Sequence, residues 1–278
     1  MNNDHFNLRD LGIAIIAPAG FVLLQDTVAA LSSISTNNRG VGIPSSLISC
    51  LIAIVLSIYI YIMYPWIFDH HTEHTHDKDR KIKKSFSFFR GLIIILLLFI
   101  SGICLQLFST GILNIIDMYN PELLNSYREM SKASFAPDNG ILRVITVMLI
   151  SPIAEEFIFR GITLHSIWRA FSQNPENNSP VPAIILSSVL FGLYHGNIVQ
   201  FCYALPAGVL LALLCVWSSS ILPGIFLHIV INISSYFVDV LPFALSMTPY
   251  IIICGITCTV CFIIIYVLLT RSQSHKIS

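Results

Sequence analysis

The chain has 278 residues, of which 55% are hydrophobic and only 11% are charged. Soluble globular domains carry about 25% charged residues, so this composition excludes an ordinary soluble protein and indicates a polytopic membrane protein. The formal net charge is zero, which gives no indication of a nucleic-acid partner. We interpret residues 1–278 as a single polytopic membrane domain, because this length leaves no room for a second one.

Eight apolar segments are candidates for crossing the bilayer. A helix needs about 20 residues to cross the hydrocarbon core, and spans should be helical because lipid cannot satisfy open backbone groups. The predicted spans are 11–31, 46–68, 91–116, 141–170, 181–196, 198–217, 220–241 and 247–270. The first is the weakest, because Pro18, Gln25 and Asp26 interrupt it. The sequence therefore predicts an all-α membrane protein, a bundle of about eight transmembrane helices.

The distribution of basic residues predicts the orientation of these spans. The loop 69–90 between the second and third spans is rich in Lys and Arg, and such loops stay in the cytoplasm. Threading eight spans from this loop places both termini in the cytoplasm. The basic residues then on the cytoplasmic side are Arg9, Lys78, Arg80, Lys81, Lys83, Lys84, Arg90, Arg169, Arg271 and Lys276. Those on the outer side are fewer: Arg39, Arg128, Lys132 and Arg143.

Two polar stretches connect the predicted spans. Within the basic loop, residues 70–76 contain four histidines. A metal-binding tract is one interpretation, but short His tracts are only a compositional signal, so we favour a solvated loop. The stretch 117–139 is polar and is predicted to be an external loop.

The fourth span carries the first group of ionisable residues. Such side chains are costly in lipid and usually mark a functional site. Glu156 and Arg160 are four residues apart, the spacing of a helical ion pair. Glu155 lies about 100° further around the helix, so it points elsewhere and is available as a general base on a water molecule. Pro152 should bend the helix one turn earlier and free carbonyl groups that need other partners.

Two later spans each carry a histidine with a second residue on the same helix face. Phe191 and His195 are four residues apart, as are His228 and Asn232. Tyr194 precedes the first histidine and could donate a hydrogen bond. The Asn232 amide is the kind of donor that stabilises a developing oxyanion. The alternatives are a charged helix end at the membrane surface for the glutamates, and interhelical hydrogen bonds for the other groups.

The three motifs together resemble those of a known family. Glu-Glu-x-x-x-Arg, Phe-x-x-x-His and His-x-x-x-Asn follow one another within residues 151–232, the predicted catalytic core. The ordered set is similar to that of the CAAX protease and bacteriocin-processing family of intramembrane metalloproteases, which includes the type II CAAX prenyl endopeptidases. The resemblance implies an eight-helix bundle around a polar, cytosol-facing cavity. The implied catalytic residues are Glu155, Glu156, Arg160, His195, His228 and Asn232.

The resemblance also implies an activity. It indicates an intramembrane endopeptidase that hydrolyses a peptide bond of a membrane-associated or lipidated substrate. Glu155 and His195 would activate water, while His228 and Asn232 would bind a metal ion or the oxyanion. The compact length and the basic cytoplasmic loop fit a bacterial-type member of the family, so we expect the protein to lie in the bacterial cell membrane. The expected partners are the peptide or lipidated protein substrate and membrane lipid.

Whether the site contains zinc stays open at this point. Glu155, His195 and His228 have the ligand types of a hydrolytic zinc site, although the HExxH spacing is absent. Glu155 could not be both a tight ligand and the free base, so Glu156 would then take one of these roles. Without metal, Glu155 deprotonates the water by itself.

Two further functions stay open as alternatives. Buried Glu, His and Arg residues also form proton relays, so a non-enzymatic, transporter-like protein is one of them. A relay needs polar steps that reach both membrane faces, and residues 141–150 and 233–238 offer no acidic residue or histidine on the outer side. The other alternative is a family-related bacteriocin immunity protein. We favour the protease.

Overall fold

The computed structural model describes residues 7–35, 43–65, 88–134, 140–172, 178–238 and 247–270. Within these ranges the regular structure is helical, and no strand occurs. The helices are α1 (Leu8–Ser35), α2 (Ser45–Met63), α3 (Phe88–Tyr119), α4 (Pro121–Ser134), α5 (140–171), α6 (Val181–Tyr194), α7 (Ile198–Ser218), α8 (Leu222–Val238) and α9 (Met247–Thr270). The predicted all-α fold is therefore confirmed.

Each of the eight predicted spans coincides with one of these helices. Five of them, α1, α2, α3, α7 and α9, are long and apolar enough to cross a membrane, whereas α6 and α8 are shorter apolar helices. The structure thus supports an integral membrane protein, and the expected eight crossings are met only in part. A cavity of about 330 Å³ between α1, α2 and α5 has mainly apolar walls, including Ile13, Ile60 and Ile162. The predicted polar cavity is not confirmed.

One element was predicted incorrectly, because 121–134 is a helix rather than part of an external loop. Asn120 begins it, accepting a hydrogen bond from the Leu123 amide at 3.0 Å. Pro121 and Glu122 then occupy the first turn, where a missing N–H and a negative charge are both favourable. The Tyr127 hydroxyl lies 2.8 Å from that of Tyr203 and joins α4 to α7. The histidine tract 70–76 and the basic residues 78–84 lie outside the described residues.

Helix α5 lies at the centre of the bundle. It contacts α1, α2, α6 and α8, and α3 packs separately against α8 and α9. One apolar cluster surrounds α5; its members are Phe21, Cys50, Ala53, Ala154, Ile158, Phe159, Phe191 and Ala204. Burial of these side chains, which lie on α5 itself and on α1, α2, α6 and α7, holds the polar part of α5 away from the surrounding lipid.

A tight turn separates α6 from α7 and fixes the end of α6. Gly196 has a φ of +64°, a left-handed conformation that glycine adopts without a Cβ clash. Asn197 then starts α7, its side chain accepting from the amides of Val199 at 2.8 Å and Gln200 at 3.2 Å. His195 is thereby held at the last turn of α6, directly before the change of direction.

A buried ion pair ties the first turn of α1 to the last turn of α5. Arg169 donates from Nη2 and Nε to the two carboxylate oxygens of Asp10, and the Asn7 side chain donates to the same carboxylate at 2.8 Å. Asp10 is 3% exposed and Arg169 is 8% exposed. This contact could not be predicted from the sequence, because the two residues are 159 positions apart.

We expect Asp10→Asn to destabilise the protein by about 3–5 kcal/mol, because it removes the charge of the carboxylate that accepts two hydrogen bonds from the buried Arg169 guanidinium. The exposed pair Asp117–Arg128, with side chains 39% and 48% exposed, provides the matched control. Asp117→Asn should cost less than about 1 kcal/mol. Chemical unfolding in detergent micelles measures both, and equal losses would contradict a buried structural role for Asp10.

Candidate active site

A widened turn in α5 lies on the N-terminal side of the two glutamates. Residues Thr146–Ile150 form a π-helical turn, in which the Ser151 amide donates five residues back to the Thr146 carbonyl. The next position is Pro152, which has no N–H, so the Val147 carbonyl loses its main-chain donor. The Asn232 side chain donates to that carbonyl at 2.9 Å. The freed carbonyl predicted from Pro152 is therefore present, and its partner comes from α8.

A second widened turn follows the glutamates. Residues Phe157–Thr163 are again π-helical, and the Leu164 amide donates to the Phe159 carbonyl. Where this turn returns to α-helix, the hydrogen-bond register changes by one residue, so one carbonyl has no main-chain N–H donor. The buried His165 donates from Nδ1 to the Arg160 carbonyl at 2.6 Å. Sequence reasoning missed His165, although its spacing of five residues from Arg160 matches a π-helical turn.

Glu156 and Arg160 form the predicted ion pair at the centre of the protein. Arg160 Nη1 lies 2.8 Å from Glu156 Oε1, with the two side chains 1% and 0% exposed. The guanidinium also donates from Nη2 to the Gly208 carbonyl at 3.0 Å, and it stands 4.4 Å from the centre of the Phe191 ring. Two hydrogen bonds and an aromatic face therefore compensate for part of the lost hydration, while Arg160 Nε and Glu156 Oε2 are buried without a hydrogen bond to the described residues.

His228 brings the two glutamates together. Its Nδ1 lies 3.0 Å from Glu156 Oε1, and its Nε2 lies 3.7 Å from Glu155 Oε2. The glutamates point in different directions, as predicted, but they meet opposite nitrogens of the same imidazole. The 3.7 Å separation is too long for a hydrogen bond, so the Glu155 oxygen and His228 Nε2 face each other without one.

His195 joins this group through an aromatic ring. Its Nδ1 donates to the Phe191 carbonyl at 2.8 Å, which leaves Nε2 as the acceptor in the neutral ring. The Phe191 ring lies edge-on to both histidines, at 5.0 Å from His195 and 5.7 Å from His228. The structure thus joins Glu155, Glu156, Arg160 and His228 by direct contacts and His195 through Phe191. Asn232 is directed to the Val147 carbonyl.

One comparison with known proteins found a match that covers the site. Residues 137–234 match the family described as Type II CAAX prenyl endopeptidase Rce1-like. These residues are similar to a domain of the CAAX protease family. The match covers about a third of the chain and includes all six predicted catalytic positions. No curated protein and no solved structure matches the chain significantly.

The matched range 137–234 has some of the features that a zinc site requires. Histidines that bind metal usually donate their second ring N–H to a carbonyl or carboxylate. His195 does so to the Phe191 carbonyl and His228 to the Glu156 carboxylate, so each has Nε2 available. No three His, Cys, Asp or Glu residues within the described ranges lie close enough to hold a metal ion. The predicted set of Glu155, His195 and His228 is therefore not assembled as a ligand triad.

Gly224 allows α8 to approach the ion pair. A Cβ atom at this position would lie 3.0 Å from Glu156 Oε2 and 3.8 Å from the Leu211 carbonyl. Glu156 cannot move aside easily, because its other oxygen contacts both Arg160 and His228. The sequence alone did not indicate this role for Gly224.

We expect Gly224→Ala to lower the unfolding free energy by about 1–3 kcal/mol, since the added methyl group overpacks the site. Gly255 in α9 is the matched control, because nothing lies within 4 Å of a Cβ built there. Gly255→Ala should be neutral or stabilising by up to about 1 kcal/mol. Unfolding of both variants in micelles measures the difference, and a neutral Gly224→Ala would show that the approach of α8 is not tight.

Proposed function

We propose that the protein is an intramembrane endopeptidase that hydrolyses a peptide bond in a membrane-associated or lipidated peptide or protein. The observation that carries this proposal is the placement of two carboxylates against the two ring nitrogens of His228, inside an apolar bundle. The family supports a CAAX-type intramembrane protease in general terms. The substrate, the mechanism and the use of metal are our proposals.

The two glutamates have different proposed roles. Glu156 is fully buried, and its Oε1 contacts both Arg160 and His228, which suits a structural anion. The Glu155 side chain is 11% exposed and faces only the more distant His228 Nε2. Glu155 is therefore the more accessible of the two carboxylates, which supports Glu155 as the general base.

The remaining groups have roles that follow from their hydrogen bonds. His195 has Nε2 available to hold the attacking water or a metal ion. Asn232 uses one amide N–H on the Val147 carbonyl, and a side-chain amide has a second N–H to donate. We propose that this second N–H, together with the Nε2–H of a doubly protonated His228, stabilises the oxyanion of the tetrahedral intermediate.

The proposed cytoplasmic location of both termini follows from the excess of basic residues in loop 69–90. In that orientation α5 runs from the outer face inwards and α8 from the cytoplasmic face outwards. The site residues then lie within the thickness of the bilayer, as a substrate anchored in the membrane requires.

We expect Glu155→Gln to reduce cleavage at least about 100-fold while leaving stability unchanged, because it removes the base and keeps the shape. Glu156→Gln should instead cost about 3–5 kcal/mol of stability, because Arg160 stays buried without a counter-charge. Cleavage of a fluorogenic membrane-tethered peptide and thermal unfolding measure the two effects.

The glutamate roles are reversed if Glu156→Gln folds as well as the wild type and alone loses cleavage. If the wild type cleaves no peptide in membranes, the transporter-like and immunity-protein alternatives are favoured over the protease.

We propose that zinc, if bound, is held by His195 and His228 with one glutamate carboxylate, where it would supply a water molecule that ionises near neutral pH. Purified protein should then contain about one zinc ion per chain. His195→Ala and His228→Ala should each remove it, as measured by elemental analysis. Protein treated with a chelator should regain both metal and cleavage on addition of zinc. Undiminished cleavage by metal-free protein would exclude the zinc scheme and favour Glu155 acting alone.

A further inference from the structure

A hydrogen bond reaches the site from α1, outside the family domain. The Tyr194 hydroxyl donates to Gln25 Oε1 at 3.1 Å. Phe21, one helical turn before Gln25, stacks on the Tyr194 ring with centroids 5.4 Å apart and planes inclined by 11°. Both α1 residues precede the matched range 137–234 by more than 100 positions.

Tyr194 is in turn packed against the predicted catalytic machinery. Its ring lies edge-on to His195, with centroids 5.2 Å apart, and 5.4 Å from the Phe159 ring. His195 ends α6 immediately before the turn at Gly196, so no further helical turn restrains it. The position of the imidazole is determined by its hydrogen bond to the Phe191 carbonyl and by packing against the neighbouring aromatic rings.

Gln25 is also an unusual residue for its position. It lies in a helix apolar enough to cross the membrane, where a polar amide is costly unless it is hydrogen-bonded. In the sequence, Gln25 served only to make the first predicted span less certain than the others. The Tyr194 hydroxyl gives the amide oxygen a partner, and the amide gives the phenol a fixed direction.

We propose that Gln25 is a positioning residue that fixes Tyr194 and, through it, the imidazole of His195. This inference rests on the proposed protease function for its kinetic part. Helix α1 is then part of the site, with Phe21 closing one side of Tyr194 and Gln25 holding its hydroxyl.

A double-mutant cycle on the full-length protein in lipid vesicles tests the proposal. Gln25→Leu removes the acceptor at similar size, Tyr194→Phe removes only the donor, and Gln25→Glu keeps an oxygen at the same reach. The contribution of one hydrogen bond corresponds to a loss of about fivefold to tenfold in rate. We expect each of the first two variants to lose that much in kcat with KM unchanged, and the double variant to lose no more. Gln25→Glu should retain most of the wild-type kcat.

Asp26→Asn is the matched control, because Asp26 is the next residue on α1 and is exposed. It should leave kcat unchanged. Losses that multiply in the double variant, an equal loss in Asp26→Asn, or a fall in melting temperature with unchanged kcat would overturn the proposal.

A measurement without substrate separates this proposal from the proposed function. The ring signal of ¹³C-labelled His195, assigned with His195→Gln, should shift in both Gln25→Leu and Tyr194→Phe and stay in place in Asp26→Asn. An unshifted signal would overturn the positioning role. A shifted signal in a protein that cleaves nothing would support the positioning role and refute the protease.

Discussion

The rest of the site depends on the contacts that the buried Glu156 carboxylate makes with Arg160 and His228. A fully buried charge is tolerated only when a counter-charge and hydrogen bonds replace its hydration. Arg160 supplies the counter-charge from the next helical turn, and His228 supplies a second contact from α8. The need to satisfy this carboxylate therefore fixes the approach of α8 to α5, and it orients the imidazole that Glu155 faces.

Helix α5 is built around the same requirement. Its two π-helical turns lie on either side of Glu155 and Glu156, and each leaves a carbonyl group without a main-chain donor. Asn232 bonds the first carbonyl and His165 the second. Such wide turns are found mostly at functional sites, since they alter which side chains share a helix face. In α5, each wide turn lies where a side chain can donate a hydrogen bond to the carbonyl that it frees.

The local part of this arrangement could be predicted from the sequence. The spacing of four residues gave the Glu156–Arg160 pair, and Pro152 gave the freed carbonyl, because both depend on the geometry of a single helix. The contacts between distant helices could not be predicted. The partners of Asn232, Gln25 and Asp10 lie 85, 169 and 159 residues away, and no periodicity connects them. The number of crossings is confirmed only in part, because α6 and α8 are apolar but shorter than the other spans.

The described residues do not assemble the predicted zinc triad for a related reason. The residue types suggested three converging ligands. In the structure Glu155 and Glu156 lie on opposite sides of His228, and His195 is connected to this group through the Phe191 ring. Residue type indicates which chemistry is available. The distance between three side chains on three helices depends on packing, and glycines such as Gly224 and Gly208 determine that packing.

The contacts of α1 have a consequence for how the protein is made. Helix α1 leaves the ribosome before α5 and α6, yet its Asp10 and Gln25 contact Arg169 and Tyr194, far later in the chain. Until those helices are synthesised, the Asp10 carboxylate lacks the Arg169 guanidinium and the Gln25 amide lacks the Tyr194 hydroxyl, so both polar groups depend on water in their place. The final position of α1 in the bilayer therefore depends on helices that are made after it.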